Sequence, residues 1–395
     1  MRLSSLAAIG AFGLVSCATE SGQPTFSGLF EGEPQSAVEA LNRYYATIDP
    51  ATLPQAPAGV ELPLDKTLTR ILLASCNDEE LESPALAQLA EEEADLFLMI
   101  GDNVYGDRDG RDYVNNQPEL EELRESFAEF AERAEFQTVR AKFPMMVAWD
   151  GHDYGANDGG KNFAFRDYAE LIHETFWGLG DDDVGQWPGT YYARTFGTDG
   201  KRVQVIVLDT RFFRSDLTPT DEYNAAGKER YIPAPEGSYQ DMLGSAQWTW
   251  LQNRLQDEAD LRLVVSSIQV MPTVHGWESW DKLPAERERL FELVNSTGAN
   301  GVVFLTGDRH TGFIYEEPGV LPYEANELTS SSLNVSFATE SPEMDSRQVG
   351  AAFPPENYGV IEIDWDAATL NLLLKDNQGV TVRENEIAFS DIGVE

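Results

Sequence analysis

From residue 66 onward the chain alternates short apolar runs with longer amphipathic stretches. Six runs, Arg70–Ala74, Leu96–Ile100, Met145–Ala148, Val203–Leu208, Leu261–Ser266 and Val302–Thr306, are dominated by apolar residues and stop at polar or glycine-containing sequence. Such runs predict strands buried on both faces. Between them, Glu119–Ala131, Phe165–Phe176 and Ala246–Leu255 repeat large apolar residues at spacings of three and four, the mark of amphipathic helices. Pro284–Val294 opens with proline at a first turn, and Ala37 to Tyr45 predicts a further short helix. Near the C-terminus, Gly359–Trp365 and Thr369–Lys375 largely alternate apolar and polar residues, as in a meander with one wet face. The combination predicts an α/β protein whose sheets are covered by helices.

No internal repeat of domain-building length is present, and no linker separates two large domains. Residues 66–390 are therefore read as one catalytic domain, and residues 18–65 as a tether with a short helix. In residues 1–17, Arg2 precedes an apolar stretch from Leu6 to Val15, the layout of a secretory signal segment. Leu14-Val15-Ser16-Cys17 resembles the lipobox of bacterial lipoproteins, in which the cysteine becomes the lipidated first residue. The expectation is export across a bacterial inner membrane, to the periplasm or to the outer membrane with attachment through Cys17. An ordinary cleaved signal peptide is the plainer alternative.

Charge narrows the partners. Among 395 residues, 28 Lys+Arg stand against 68 Asp+Glu, a formal net charge of -40. That excludes holding nucleic acid by bulk electrostatics, which needs clustered cations. It does not imply disorder, because 42% hydrophobic and 11% aromatic residues can build a large core. It does set up a conflict with any anionic substrate.

The chemistry gathers where the predicted strands end. Successive endings read Ser75-Cys76-Asn77, Gly101-Asp102-Asn103-Val104-Tyr105, Trp149-Asp150-Gly151-His152-Asp153, Leu208-Asp209-Thr210-Arg211, Ser267-Ile268-Gln269 and Gly307-Asp308-Arg309-His310. Ligand sites in open α/β sheets lie beyond the carboxyl ends of strands. A single strand-end Asp commonly caps a helix, but four endings offering Cys, Asp/Tyr, Asp/His and Asp/His point to a metal site. Cys76 is followed by Asn77-Asp78-Glu79-Glu80, which opposes a free thiolate nucleophile. A metal ligand or a simple buried thiol fits it better, since a bound cation deprotonates a thiol outright. His152 and His310 suit a general acid or a metal ligand. His173 reads as a packing or helix-surface residue, and His275 is ambiguous. Gly155 to Asn162 nearly spells a P-loop but lacks its closing Ser/Thr, and no G-x-S-x-G elbow occurs.

The ordered set of strand endings, with Trp149-Asp150-Gly151-His152-Asp153-Tyr154, Asn157-Asp158, Gln247-Trp248, Glu278-Ser279-Trp280 and Gly307-Asp308-Arg309-His310, resembles the alkaline phosphatase D-like metallophosphatase family of the calcineurin-like superfamily. The resemblance implies a four-layer αββα sandwich and hydrolysis of phosphate esters by metal-activated hydroxide, as a phosphatase or phosphodiesterase. It further implies Fe3+ held by Cys76, Asp102, Tyr105 and His310, and Ca2+ sharing Asp102 and held by Asp308, with Asp150, Asn157 or Asp158 compensating for an acidic ligand that this chain lacks. His152 would protonate the leaving oxygen and Arg211 would neutralise a phosphate oxygen. The expected partner is a small phosphorylated substrate, and the expected state is a monomer. One departure stands out: Gly151 occupies the place before the motif histidine where the family has an acidic ligand. A catalytically silent envelope lipoprotein that binds a phosphorylated ligand is the alternative this departure favours.

Overall fold

The computed structural model describes residues 36–394 apart from 111, 115–116, 181, 199 and 339–341. The signal segment 1–17, including Cys17, and the tether up to residue 35 lie outside the described residues. Among the described residues, no helix is long and apolar enough to cross a membrane.

Two six-stranded sheets organise the chain. In spatial order the first runs Thr381–Ala388, Thr369–Asp376, Asn357–Asp364, Arg70–Ala74, Leu96–Ile100, Met145–Ala148. Its last three strands are parallel, and the C-terminal meander is antiparallel. The second runs Phe313–Glu317, Ala325–Thr329, Val302–Thr306, Leu261–Val265, Val203–Val207, Tyr192–Phe196, with the four middle strands parallel. Parallel neighbours require crossover connections; helices supply them, except between Val302–Thr306 and Ala325–Thr329, which are joined through the antiparallel strand Phe313–Glu317.

Alternation along each strand divides the apolar residues among three cores. Ile71 and Leu73 face Val205, Leu263 and Leu305 across the gap between the sheets. Leu72 and Ala74 face outward and pack with Phe127, Phe130 and Phe176 on helices Glu121–Glu132 and Arg166–Trp177. On the far side, Ile206, Val264 and Phe304 pack with Leu251 and Leu290 of helices Gly244–Leu255 and Pro284–Thr297. Helix, sheet, sheet, helix is the αββα order, and it explains why the predicted strands read as continuously apolar: both faces are dry.

The sheets converge at their carboxyl-terminal edges because small residues stand there. A Cβ on Gly101, whose φ is +117°, would lie 2.6 Å from the Asp150 Cβ. One on Gly307 would lie 2.5 Å from Ser75 Oγ and 2.7 Å from its Cβ, across from the other sheet. Ser75 cannot retreat freely, since its Oγ donates to the Ser330 carbonyl at 2.8 Å. Replacing Gly307 with Ala is expected to lower unfolding stability by about 1–3 kcal/mol, the usual cost of overpacking. Urea denaturation measures it, and an unchanged midpoint would contradict the close approach.

Candidate metal centre

Each strand end delivers its side chain through a tight, constrained turn. Eight non-glycine residues among those described have positive φ, and Cys76, Asp102, Asp158, Asp308 and His310 are five of them. Backbone held in this costly region concentrates where a site fixes its groups in advance. The carboxylate of Asp153 ties two turns together. It accepts from Asp150 N (2.5 Å), Asp102 N (3.2 Å), Asn103 N (3.2 Å) and Asn103 Nδ2 (2.5 Å).

At the centre two groups of ligand atoms meet. Cys76, Asp102 and His310 form one, and Asp102, Asp150 and Asp308 the other, with the atoms of each group within 4.8 Å of one another. Asp102 belongs to both. Cys76 Sγ lies 3.7 Å from Asp102 Oδ2 and 3.1 Å from Ser331 Oγ. Tyr105 OH is 3.1 Å from His310 Nε2, so the phenol joins the first group. In the second, Asp150 Oδ1 accepts from Ser267 Oγ at 2.7 Å and Arg211 Nε at 2.5 Å, while its Oδ2 is buried without a hydrogen-bond partner. Asn157 lines the same cleft, and its N donates to Asp107 Oδ2 at 2.7 Å.

The electrostatics of the cluster ask for a cation. Burial, reinforced by Asp150, Asp153 and Asp308, holds the Asp102 carboxyl well above its usual range. Burial together with Asp150 and Asp158 raises Asp308 to about 8. Burial also raises the Cys76 thiol and the Tyr105 phenol, each with neighbouring anions adding to it. His310 is pushed down to about 3 by burial and by His152, which keeps its ring nitrogens neutral and ligand-ready. One buried positive charge would relieve the raised carboxyls, thiol and phenol together and would favour the neutral imidazole. A thiol, phenol and imidazole suit a transition metal, and a carboxylate set suits a hard cation such as calcium. The donor set therefore fits two unlike metals sharing Asp102.

A family model described as PhoD-like phosphatase matches residues 71–164 and 188–364. The chain belongs to that family. Alkaline phosphatase D of Bacillus subtilis (strain 168) is 27% identical over 270 residues, covering 61% of this chain and 45% of the relative. The chain thus spans less than half of that relative's length. The structure of PhoD superposes with a TM-score of 0.60 at 18% identity, over 84% of this chain and 73% of that one. A purple acid phosphatase from yellow lupin (Lupinus luteus) seeds superposes with a TM-score of 0.52 at 10% identity, over 84% and 56%. Both likenesses establish the metallophosphoesterase type of fold, the four-layer sandwich expected from the PhoD-like resemblance.

The remaining family positions divide sharply. His152 lines the cleft; its Nδ1 is 2.6 Å from Asp107 Oδ1, its ring stacks on Tyr105, and its N donates to Asp102 Oδ1 at 2.9 Å. Arg211, expected from sequence to meet a phosphate oxygen, is turned instead to Asp150 and Glu278 and is fully buried. The physical reason is charge: two buried carboxylates hold it more strongly than an open cleft would. Arginines that do line the cleft, Arg108, Arg230 and Arg309, received no role from the sequence. Nor did Asp107, whose pairing with a histidine 45 residues away leaves no local signal. At position 151 a Cβ would meet Asp158 N at 3.1 Å and Asn157 Oδ1 at 3.3 Å, so the 157–158 turn fills the space an acidic side chain would use. His173 packs with Phe127 and Trp149, and His275 binds Gln269, so both are structural.

The raised carboxyls have a thermodynamic consequence. Asp308 in the metal-free fold binds its proton up to about pH 8, whereas the unfolded chain releases it near 4. Its stabilising contribution is thus complete below about pH 4 and is lost progressively as pH rises to about 8. Depressed histidines act in the opposite sense, but only below about pH 6.5. The melting temperature of metal-stripped protein is expected to fall between about pH 6.5 and 8 and to level off above that, and reloading with metal should abolish the fall. A pH-independent melt in the stripped protein would contradict the charge argument.

Proposed function

We propose that the chain is a metal-dependent phosphoric ester hydrolase, a phosphatase or phosphodiesterase. The observation that carries this reading is the sharing of buried Asp102 between a Cys76/His310 group and an Asp150/Asp308 group. Cys76, Asp102, Tyr105 and His310 would hold iron; Asp102, Asp150, Asp308 and Asn157 would hold calcium. When bound, such a pair supplies a nucleophilic water near neutral pH and offsets charge on the phosphoryl oxygens.

The chain's own residues supply the rest. Asp107 accepts the Nδ1 proton of His152 and stabilises the imidazolium. That leaves Nε2 to give a proton to the departing oxygen. Stacking on Tyr105 and the backbone bond to Asp102 keep the ring at the cleft wall. Arg211 and Ser267 hold Asp150 Oδ1, which leaves Oδ2 without a hydrogen-bond partner in a residue grouped with Asp102 and Asp308. This reading outweighs a silent phosphate-binding lipoprotein: Gly151 favours silence, yet Asp150 and Asp308 still converge on Asp102.

The N-terminal pattern supports a place in the bacterial periplasm or outer membrane, with attachment through Cys17. Cys17→Ser should then move it from the membrane to the soluble fraction; an unaltered distribution would sink the anchor. For the enzyme, elemental analysis should find iron and calcium near stoichiometry, and chelation should abolish hydrolysis of aryl phosphate mono- and diesters. Activity untouched by chelator would overturn the reading. His152→Ala should lower kcat by about 10²–10⁴-fold, with the deficit growing as the leaving alcohol becomes less acidic.

A further inference from the structure

Two kinds of arginine surround the cleft. Arg211 and Arg214 are each engaged by several buried acceptors. Arg211 is enclosed by Asp150 and Glu278, and Arg214 by Glu278 and the carbonyls of Asp158 (2.5 Å) and Gly159 (2.8 Å). Arg230 and Arg309 line the cleft and each meets a single carboxylate: Asp158 at 2.8 Å for Arg230, Glu343 at 2.7 Å for Arg309. A guanidinium carries five N–H donors, so one carboxylate leaves donors over.

These two cations converge on one indole. The guanidinium carbons of Arg230 and Arg309 stand 5.0 Å and 5.3 Å from the Trp277 ring centroid. Trp277 is itself fixed. Its N donates to His275 Nδ1 (3.2 Å), His275 Nε2 contacts Gln269 Oε1 (3.0 Å), and Gln269 Nε2 donates to Thr329 Oγ1 (2.9 Å). His275, Gln269 and Thr329 are buried, and the relay anchors the Trp277 backbone to the segment after Leu261–Val265 and to the end of Ala325–Thr329. Arg309 lies between Asp308 and His310, and Asp158 stands beside Gly151, so both arginines border the metal centre. Each guanidinium keeps donors beyond its one carboxylate, and both line the same cleft, where an anion can accept them. In a chain with 68 acidic residues against 28 basic ones, this convergence has no counterpart in a need to balance overall charge.

We propose that Arg230 and Arg309, braced by Trp277, form a clamp for the unesterified oxygens of the phosphoryl group, with Trp277 as a positioning residue. The clamp rests on the hydrolase reading of the cleft. It takes the role that the sequence suggested for Arg211, and the planar fork of a guanidinium matches paired phosphate oxygens.

The test uses the metal-loaded, full-length protein with inorganic phosphate as the probe. Arg230→Gln and Arg309→Gln should each weaken phosphate binding by calorimetry and raise KM for an aryl phosphate by about tenfold or more, with kcat changed less and metal content unchanged. Arg→Lys at either position should recover part of the loss. Trp277→Ala should act in the same direction, and Trp277→Phe should recover most of it because a ring face remains. Should Trp277→Ala fail to fold, the arginine variants decide alone. Phosphate affinity and KM within about twofold of the parent in both glutamine variants would overturn the clamp, since a lost charge-assisted bond costs more than that. Clamp-dependent phosphate binding without any ester turnover would uphold the clamp and sink the hydrolase reading. Normal turnover indifferent to both arginines would do the reverse.

Discussion

A carboxylate buried where two sheets meet is the constraint on which the site depends. Asp102 sits at the end of one strand of the first sheet, and its partners arrive from elsewhere: Cys76 and Asp150 from the same sheet, Asp308 and His310 from the second. None of these acids can stay charged together in a dry interior without a compensating cation, as the raised carboxyls of Asp102 and Asp308 express. The fold accepts this cost through rigid geometry. Strained turns hold the ligands, Asp153 ties two of those turns, and glycines at 101 and 307 let the sheet edges close.

The acidity of the chain takes on a different meaning once the cleft is described. A net charge of -40 argues against an anionic partner if charge is treated as uniform. Charges beyond a Debye length of roughly 10 Å are largely screened, so the local arrangement governs. Locally, arginines line the cleft and a carboxylate cluster behind them invites divalent or trivalent cations. Buried Arg211 and Arg214 serve a second purpose. Paired with Asp150 and Glu278, they neutralise acids that would otherwise stand unpaired in the interior.

The elements legible in the sequence were those whose burial is uniform along their length. Arg70–Ala74, Leu96–Ile100, Met145–Ala148 and Val302–Thr306 occur with the bounds the apolar runs predict, and the four amphipathic helices shift by only a few residues. Elements that escaped notice carry polar side chains into buried places. Ala325–Thr329 reads as a polar segment, yet all five residues are buried. Glu327 there accepts from Met271 N and Thr306 Oγ1, a satisfaction that exists only once the second sheet has formed. Tyr192–Phe196 and Thr381–Ala388 are edge strands with mixed exposure, and their pattern is correspondingly weak.

By itself the sequence determined the α/β class, the strand ends that carry chemistry, and the residues Cys76, Asp102, Tyr105, Asp150, His152, Asp308 and His310 as one candidate constellation. It could do so because ligand type and strand-end position are local properties, written within a few residues of each apolar run. Only the tertiary structure decided which atoms converge, that Asp102 is common to two groups, that Asp107 orients His152, and that the 157–158 turn fills the space beside Gly151. It also decided which arginines face the cleft. Arg211 and Arg309 both follow an acid at a strand end in sequence, and whether a guanidinium is enclosed by carboxylates or left with free donors depends on residues far along the chain.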